Sequence, residues 1–308
     1  MIDQIRDFNK QFEFQPVIEN GHVGNYTKFV IAGMGGSHLA ADLIKTREPY
    51  LDLIVHKDYG LPKISDESGR LFIASSYSGN TEEVVDFLES AIEKGLPTVV
   101  VSTGGKLIEI AKEKSIPFVK MPETNIQPRE ALGYSLRALL KAMGQNDILS
   151  ETDELVSFDP SEYEELGKSI AEKIGTNIPV VYSSTDNEAL ALNWKIRLNE
   201  TGKTPAFYNV LPELNHNEMI SFADSSNFYF VLIREDMDSP RIKKRIDVTI
   251  DMLEKMGYGV SEITLSGSKF NKIFKALLVA DWTSYYLAKS KGSNPEEVSL
   301  VEEFKKML

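Results

Sequence analysis

The sequence predicts an α/β fold with two domains, each a parallel sheet flanked by helices in an α-β-α sandwich. Short apolar strands alternate with helices of roughly 10 to 15 residues, which is the pattern of crossover connections between parallel strands. The alternation occurs twice, and a polar, acidic stretch over 144–163 separates the two series. Several of the strands end directly in loops rich in serine and glycine.

The composition is that of a globular protein without a nucleic-acid partner. The chain has 308 residues, 42% hydrophobic and 26% charged, with 46 acidic against 34 basic side chains and a formal net charge of −12. A nucleic-acid-binding protein would need a basic face, whereas a few local donors suffice for an anionic metabolite. No apolar run reaches about 18 residues, and residues 1–12 are typical of an amphipathic helix rather than a signal peptide. We therefore expect a cytoplasmic protein that binds no membrane.

Cysteine is absent, and the chain has four histidines. Disulfides, thiolate nucleophiles and cysteine-ligated metals are therefore excluded. A multi-histidine metal site is not expected either, and the sequence calls for no cofactor.

In the first half, apolar runs predict strands at 28–31, 51–55, 70–74, 97–101 and 116–119. Helices are predicted over 1–12, 38–45, 82–94 and 129–143, the last one introduced by Pro128. The stretch 144–163 is interpreted as the connection between domains. The first domain is accordingly placed at 1–150 and the second at 151–308.

In the second half, the same patterns predict strands at 178–184, 206–210, 228–233 and 260–265. Helices are predicted over 188–200, 240–256, 269–289 and 295–308. The second half thus looks like a coarse repeat of the first, in which a strand leads through a serine-rich turn into a helix.

The most informative stretch is 70–81, RLFIASSYSGNT, in which a buried strand runs into a loop of hydroxyls. Ser76, Ser78 and Thr81 follow the strand just before a helix begins. A helix N-terminus offers unpaired N–H groups and a positive dipole end, and hydroxyl donors beside it can complete a phosphate site. The alternative is an ordinary polar cap, with Asn80 as the N-cap and Glu83 three residues on.

A second loop, Gly33-Met34-Gly35-Gly36-Ser37, follows the strand at 28–31. It lacks the third glycine of a dinucleotide-binding fingerprint, because His38 stands there, and the strand at 51–55 is followed by His56-Lys57 instead of an acidic residue. A Rossmann oxidoreductase is therefore disfavoured. The glycines suit close approach of the backbone to a sugar or phosphate, and the alternative is a purely structural turn.

Four further residues could take part in chemistry or binding. Arg129 is predicted at the start of a helix, where the dipole disfavours a cation unless an anion binds nearby. Glu200 is predicted at a helix end, where the dipole disfavours a carboxylate, and His216 is predicted in a loop between two asparagines. Glutamate and histidine form a common acid–base pair. Lys305 lies in the last helix with Lys306, where the dipole alone is a sufficient reason for either cation.

Several segments occur in the order and with the motifs of one family. They are the loop 33–37, the loop 76–81, Pro128-Arg129, Asn199-Glu200 with Lys203, the stretch 211–218 (LPELNHNE) and Phe304-Lys305. On these segments the chain resembles the bifunctional phosphoglucose/phosphomannose isomerase family of the sugar isomerase (SIS) superfamily, across nearly the whole length. The resemblance implies two SIS domains and a metal-free aldose–ketose isomerase of glycolysis and gluconeogenesis.

The resemblance also implies a role for each site residue. Ser76, Ser78 and Thr81 would hold the phosphate of glucose 6-phosphate or mannose 6-phosphate, and Gly35, Gly36 and Ser37 would line the sugar. Glu200 would move a proton between C1 and C2 through a cis-enediol, and Arg129 would stabilise the enediolate. His216 and Lys305 would open the pyranose ring. In the family the protein is a homodimer, and the histidine reaches the site of the neighbouring subunit.

Three features depart from the family's pattern or leave a choice. His38 and Ala40-Ala41 stand where a small residue and two glycines are usual, which would place a titratable group near the sugar or phosphate. Thr201-Gly202 replaces an expected Asn-Ala pair after Glu200. Lys305 is preferred over Lys306 because Phe304 aligns with the family's hydrophobic residue.

Two other hypotheses stay open at this point. One is a non-catalytic sugar-phosphate sensor, which would keep the hydroxyl loop but would not need Glu200, His216 and Lys305. The other is an isomerase of a different phosphosugar, such as an amino sugar.

Overall fold

The computed structural model describes residues 1–124, 126–223 and 227–307, except for the side chains of residues 302, 305 and 306. The chain forms two compact units. We call Asp7–Asp159 the N-terminal unit, and Met1–Arg6 together with Pro160–Leu308 the C-terminal unit. The first helix, α1 (Ile2–Arg6), therefore packs with the second half of the chain.

The N-terminal unit contains one six-stranded sheet in the order β1-β6-β5-β4-β2-β3. The strands are β1 (Ile18–Glu19), β2 (Lys28–Ala32), β3 (Asp52–His56), β4 (Arg70–Ser75), β5 (Thr98–Ser102) and β6 (Phe118–Lys120). The helices are α2 (Gly36–Arg47), α3 (Glu82–Glu93), α4 (Gly105–Glu113), α5 (Leu132–Ala142) and α6 (Asn146–Glu151). All neighbouring strands are parallel except β1, which pairs antiparallel with β6.

The C-terminal unit contains one four-stranded parallel sheet in the order β10-β9-β7-β8. Its strands are β7 (Ile178–Ser184), β8 (Phe207–Leu211), β9 (Phe228–Glu235) and β10 (Gly259–Leu265). Its further helices are α7 (Glu164–Ile174), α8 (Glu188–Glu200), α9 (Leu214–Asn217), α10 (Pro240–Lys255), α11 (Lys269–Ser290) and α12 (Ser299–Met307).

Both sheets are held by apolar side chains that helices cover. In the N-terminal unit, Phe72 and Val100 from adjacent strands pack with Phe87 of α3 and Leu107 of α4. In the C-terminal unit, Phe230 and neighbouring strand residues pack with Ile246 and Leu253 of α10. The helix α11 is buried along most of its length because it contacts α7, α8 and β10. The α/β fold with parallel sheets flanked by helices is confirmed.

The structure corrects several predicted elements. The helix over 1–12 is split into α1 and a 3-10 helix at Phe8–Glu13, which fall in different units. The helix over 129–143 begins only at Leu132, because Arg129 lies in a separate 3-10 turn, Pro128–Glu130. The first sheet is not purely parallel, because β1 pairs antiparallel with β6. Neither β1 nor the helix α4 was predicted from the sequence.

The stretch 144–163, predicted to connect the domains, has regular local structure. It folds into α6 and two 3-10 helices, Thr152–Ser157 and Pro160–Tyr163. The buried guanidinium of Arg137 donates to Thr152 Oγ1 and Asp153 Oδ1, both at 2.7 Å, and to the carbonyl of Phe14 at 2.6 Å. These bonds fix the stretch to α5, and the compact units divide after Asp159. The assignment of 1–150 and 151–308 to two SIS domains stays a prediction.

The two sheets share one topology. In each unit the first strand of the series has the second strand on one side and the third on the other, and the fourth lies beyond the third. The order is β5-β4-β2-β3 in the N-terminal unit and β10-β9-β7-β8 in the C-terminal unit. The carboxyl ends of the first and third strands therefore lie side by side in both units, which is the position where α/β sheets bind ligands. Among the described residues, no helix is both long and apolar enough to cross a membrane.

Candidate functional site

The hydroxyl loop after β4 is closed by its own side chains. Ser76 is fully buried, and its Oγ lies 2.8 Å from Oγ1 of Thr81 and accepts the Gly79 N–H at 3.1 Å. Ser78 is exposed, and its Oγ accepts the Asn80 N–H at 3.3 Å. The loop thus gathers three hydroxyls directly before the first turn of α3, whose N–H groups have no partner within the helix.

The interpretation of this loop as an ordinary cap at Asn80 is wrong. Thr81 occupies the N-cap position of α3, and its side chain makes no cap bond there because it pairs with Ser76. The Oδ1 of Asn80 instead accepts the Lys106 N–H at 3.0 Å, at the start of α4.

The loop between β5 and α4, residues 103–104, is bonded to the hydroxyl loop and supports it, and we call this support the brace. Both the Oγ1 and the N–H of Thr103 donate to the carbonyl of Tyr77, at 2.8 and 3.1 Å. The Leu107 N–H donates to the Gly79 carbonyl at 3.0 Å. Gly79 has φ +74°, and a Cβ added there would lie 1.8 Å from the carbonyl oxygen of Gly104. Only glycine can therefore occupy this position without moving the brace.

Sequence reasoning missed this brace. The signal was present, because Ser102-Thr103-Gly104-Gly105 follows a buried strand in the same way as the two loops that were identified.

The glycine loop after β2 lies against both the hydroxyl loop and Arg129. The Tyr77 N–H donates to Ser37 Oγ at 2.9 Å, which joins the two loops. Gly35 has φ +51°, and a Cβ added to Gly36 would lie 2.6 Å from the backbone nitrogen of Arg129. The structure therefore brings the predicted binding residues together with the backbone of Arg129, which was predicted to be catalytic. These binding residues are Gly35, Gly36, Ser37, Ser76, Ser78 and Thr81.

Arg129 is buried, with 2% of its surface exposed, and its Nε lies 3.5 Å from Oε1 of Glu130. A guanidinium is a cation that an anionic ligand can pair with. The 3-10 turn at Pro128–Glu130 holds the backbone of Arg129 against Gly36 of the glycine loop.

His38, the departure in the glycine loop, is occupied within its own helix. It is buried, and its Nδ1 lies 2.6 Å from Oδ2 of Asp42, one turn further along α2. The same Asp42 oxygen accepts from Nζ of Lys57 at 3.2 Å. Because of this hydrogen bond, the Nδ1 atom of His38 faces the C-terminal end of α2.

In the C-terminal unit, Glu200 is the last residue of α8 and is half-buried. Its helix is anchored by Arg197, which is fully buried and whose Nε donates to Asp281 Oδ1 on α11. The carbonyl of Glu200 accepts from Nζ of Lys203 at 2.5 Å. The prediction that Glu200 ends a helix is confirmed.

His216 does not lie in a loop as predicted. It is in the short helix α9 and is exposed to solvent. The next turn is anchored by Glu218, whose carboxylate accepts from Tyr182 Oη at 2.6 Å and from Asn209 Nδ2 at 2.7 Å. Burial, together with the bond to Glu218, raises the pKa of Tyr182 far above its ordinary value, so the phenol stays a donor. Asn215 donates to Thr249 Oγ1 of α10 at 3.0 Å.

Glu200 and His216 lie at opposite ends of the strands in the C-terminal sheet. The helix α8 leaves the carboxyl end of β7 and runs back over 13 residues, about 20 Å. Glu200 is therefore near the amino end of β8, which pairs in parallel with β7. His216 follows the carboxyl end of β8. Within this unit the two residues cannot face one small substrate.

The backbone of Lys305 is part of α12, but its side chain is not among those that the structure describes. Lys306 has the same status, so the choice between them stays a prediction. Among the described side chains, no three His, Asp or Glu converge as metal ligands would.

Comparison with known proteins decides the family. A model described as the bacterial phospho-glucose isomerase C-terminal SIS domain matches residues 163–308. A protein of Aquifex aeolicus named bifunctional phosphoglucose/phosphomannose isomerase is 33% identical over 315 residues, covering 99% of this chain and 97% of its own. One of the same name from Thermoplasma volcanium is 36% identical over 313 residues, covering 99% and 95%. The chain belongs to the bifunctional phosphoglucose/phosphomannose isomerase family.

A further relative carries a different name. The D-glucosamine-6-phosphate 4-epimerase of Sulfolobus acidocaldarius is 30% identical over 210 residues, which is 67% of each chain. The phosphoglucose/phosphomannose isomerase family thus has a relative named for another reaction on a phosphosugar.

Proposed function

We propose that this protein interconverts glucose 6-phosphate and mannose 6-phosphate with fructose 6-phosphate, without a metal or other cofactor, in the cytoplasm. The observation that carries the proposal is the convergence of the Ser76–Thr81 hydroxyl pair, the loop Gly35–Ser37 and buried Arg129 in the N-terminal unit. This arrangement suits a phosphorylated sugar. The names of the relatives that align over nearly the whole chain supply the reaction.

In the proposed mechanism, the phosphate is held by the hydroxyls of Ser76, Ser78 and Thr81 and by the N–H groups at the start of α3. Glu200 removes the proton from C2 of the open-chain aldose and returns it to C1, which gives the ketose through a cis-enediol. The guanidinium of Arg129 stabilises the negative charge that develops on the enediolate oxygen.

Ring opening requires a proton at the ring oxygen and removal of the proton from O1. We assign these two transfers to His216 and Lys305. His216 is exposed on α9, and an imidazole can donate or accept a proton, which supports such a role.

A homodimer is part of the proposal. Glu200 and His216 lie at opposite ends of the strands of one sheet, so the two cannot act on the same substrate molecule within one chain. A second copy of the chain that brings its His216 to the site of the first resolves this separation, as the family resemblance implies.

One observation supports a second candidate function. The relative named D-glucosamine-6-phosphate 4-epimerase aligns with two thirds of the chain. An isomerase of an amino phosphosugar would use the same phosphate loop. Its substrate would carry an amino group in place of the hydroxyl at C2.

The test is to incubate the purified protein with mannose 6-phosphate and, separately, glucose 6-phosphate, and to assay fructose 6-phosphate with and without a chelator. Conversion of both substrates, unaffected by the chelator, is expected. Conversion of neither, with glucosamine 6-phosphate consumed, would favour the second candidate.

Replacing Glu200 by Gln should lower kcat by about 100- to 10,000-fold, the usual contribution of a general base, while phosphate-ligand affinity changes less than threefold. Glu188→Gln, at the other end of α8, is the matched control and should leave kcat unchanged. Full activity of the Glu200 variant would show that the base is elsewhere.

A further inference from the structure

Lys203 occurs in one of the motifs that carry the family resemblance, and the proposed reaction gives it no role. We infer that Lys203 is a positioning residue that ties the end of α8, with Glu200, to the chain segment that leads into α12. The inference rests on the proposed function for the part that concerns catalysis, since Glu200 is the proposed base.

The first half of the tie is the carbonyl of Glu200. The last carbonyls of a helix lack partners within the helix. In α8 the carbonyl of Arg197 accepts the N–H groups of Thr201 and Gly202, and that of Leu198 accepts the Thr204 N–H. The carbonyl of Glu200 accepts instead from the ammonium of Lys203 at 2.5 Å. This cation also offsets the negative end of the helix dipole, where a carboxylate is otherwise disfavoured.

The second half of the tie is the carbonyl of Glu297, to which the same ammonium donates. Glu297 lies two residues before α12 (Ser299–Met307). Three apolar residues of α12, Leu300, Phe304 and Met307, are between 61% and 80% exposed. Burial of apolar surface therefore contributes little to holding α12, and a polar link at its entry matters more.

The turn that carries Lys203 is shaped for this contact. Lys203 has φ +50°, which is uncommon for a residue with a Cβ. A second lysine, Lys291 at the end of α11, donates to the carbonyl of Lys203 at 3.4 Å and to Thr204 Oγ1. Lys291 therefore contacts the same turn but bonds neither Glu200 nor Glu297, so it provides a matched control.

The first measurement is amide hydrogen exchange, which needs no activity. We compare the full chain with the variants Lys203→Met and Lys291→Met. Exchange of the amides in 299–307 should rise at least tenfold in Lys203→Met and less than twofold in Lys291→Met, at an unchanged Tm for both. Equal exchange in 299–307 for Lys203→Met and the parent protein would overturn the inference.

The second measurement separates positioning from folding. Lys203→Met should lower kcat for isomerisation at least tenfold with KM changed less than twofold, whereas Lys291→Met should alter neither. Lys203→Arg keeps donors for both carbonyls and should recover most of kcat. Lys203→Gly suits the positive φ, so a loss of kcat there equal to that of Lys203→Met assigns the effect to the side chain.

The two parts fail separately. If the parent protein does not isomerise any of the sugars, the proposed function fails, and the exchange in 299–307 still decides whether the tie exists. If the parent is active and Lys203→Met keeps its kcat, the positioning role is overturned even where exchange rises. If Lys203→Met does not fold, Lys203→Gly and Lys203→Arg carry the same comparison.

Discussion

The loop after β4 and the loop after β9 occupy the same place in two sheets of the same strand order, yet their chemistry is opposite. The loop after β4, Ser76–Thr81, contains hydroxyls and no charged side chain. The loop after β9 contains Asp236 and Asp238, and β9 itself ends in Glu235. A phosphate would meet donors in the first loop and carboxylates in the second.

The acidic loop has its own internal partner. Lys272 of α11 is buried, and its Nζ lies 3.0 Å from Oε1 of Glu235 and also donates to Asp236 Oδ1. Asn187 donates to Oε2 of Glu235 at 2.9 Å. The sheet end that we propose as a phosphate site in one unit is occupied by an ion pair in the other. Topology therefore provides the position, and side chains decide whether a ligand or the protein itself occupies it.

The largest expected effect comes from Gly79→Ala. The added Cβ would lie 1.8 Å from the Gly104 carbonyl oxygen at a residue with φ +74°, so the loop and its brace must separate. We expect binding of inorganic phosphate, followed by calorimetry, to weaken beyond detection. Gly95→Ala is the control, because Gly95 has φ +65° but no atom within 4 Å of its added Cβ. It should cost about 1 kcal/mol of stability and leave phosphate binding intact; equal losses would contradict the role of the brace.

The next effect comes from removing hydroxyls. Ser76→Ala combined with Thr81→Val should weaken phosphate binding about tenfold to a hundredfold, since a hydrogen bond to a charged group contributes about 1.5–3 kcal/mol. In the counterpart loop, Ser239 caps α10 by accepting the Ile242 N–H at 3.3 Å. Ser239→Ala should reduce stability by about 1 kcal/mol without changing phosphate affinity. A change in affinity there would mean that both loops bind the ligand.

The ion pair of the acidic loop predicts a pH-dependent stability. The hydrogen bond from Lys272, opposed by burial, lowers the pKa of Asp236 below 3.8. Although burial favours the neutral amine, the bonds to Asp236 and Glu235 raise the pKa of Lys272 above 10.5. The stabilisation is therefore complete between these two values, and it is lost as the pH falls through the lowered pKa of Asp236 or rises through the raised pKa of Lys272.

Lys272→Met tests this window by urea unfolding. The variant should be less stable than the parent protein at neutral pH, and the difference should shrink as the pH falls below about 4, the ordinary pKa of an aspartate. Phosphate affinity should not change. A difference in stability that is independent of pH would indicate lost packing rather than a lost ion pair.

The smallest effect is expected at His38. Its Nδ1 already pairs with Asp42 within α2, so His38→Asn, which keeps a donor for Asp42, should change the ratio of kcat/KM for the two hexose phosphates by less than about threefold. Asp42→Asn is the companion variant. A shift in substrate preference with His38→Asn would show that this residue belongs to the sugar-binding loop.

The sequence by itself determined the strands other than β1, most of the helices and the hydroxyl loop. Each of these depends on residues close together in the chain, such as the apolar run at 71–74 or the helix that ends at Glu200. The strand at 178–184 and the helix at 188–200 coincide with β7 and α8. The family and its proposed reaction also followed from such local motifs.

The tertiary structure alone decided which distant groups meet. The brace of Thr103 on Tyr77, the contact of Gly36 with Arg129, the pairing of Lys203 with Glu297 and the ion pair of Lys272 with Asp236 join residues that are 26 to 94 positions apart. No local pattern specifies such pairs, because they depend on how the chain crosses itself once the sheets have formed. The separation of Glu200 from His216 has the same origin: the return of α8 across the sheet places residues 16 apart in sequence at opposite ends of the strands.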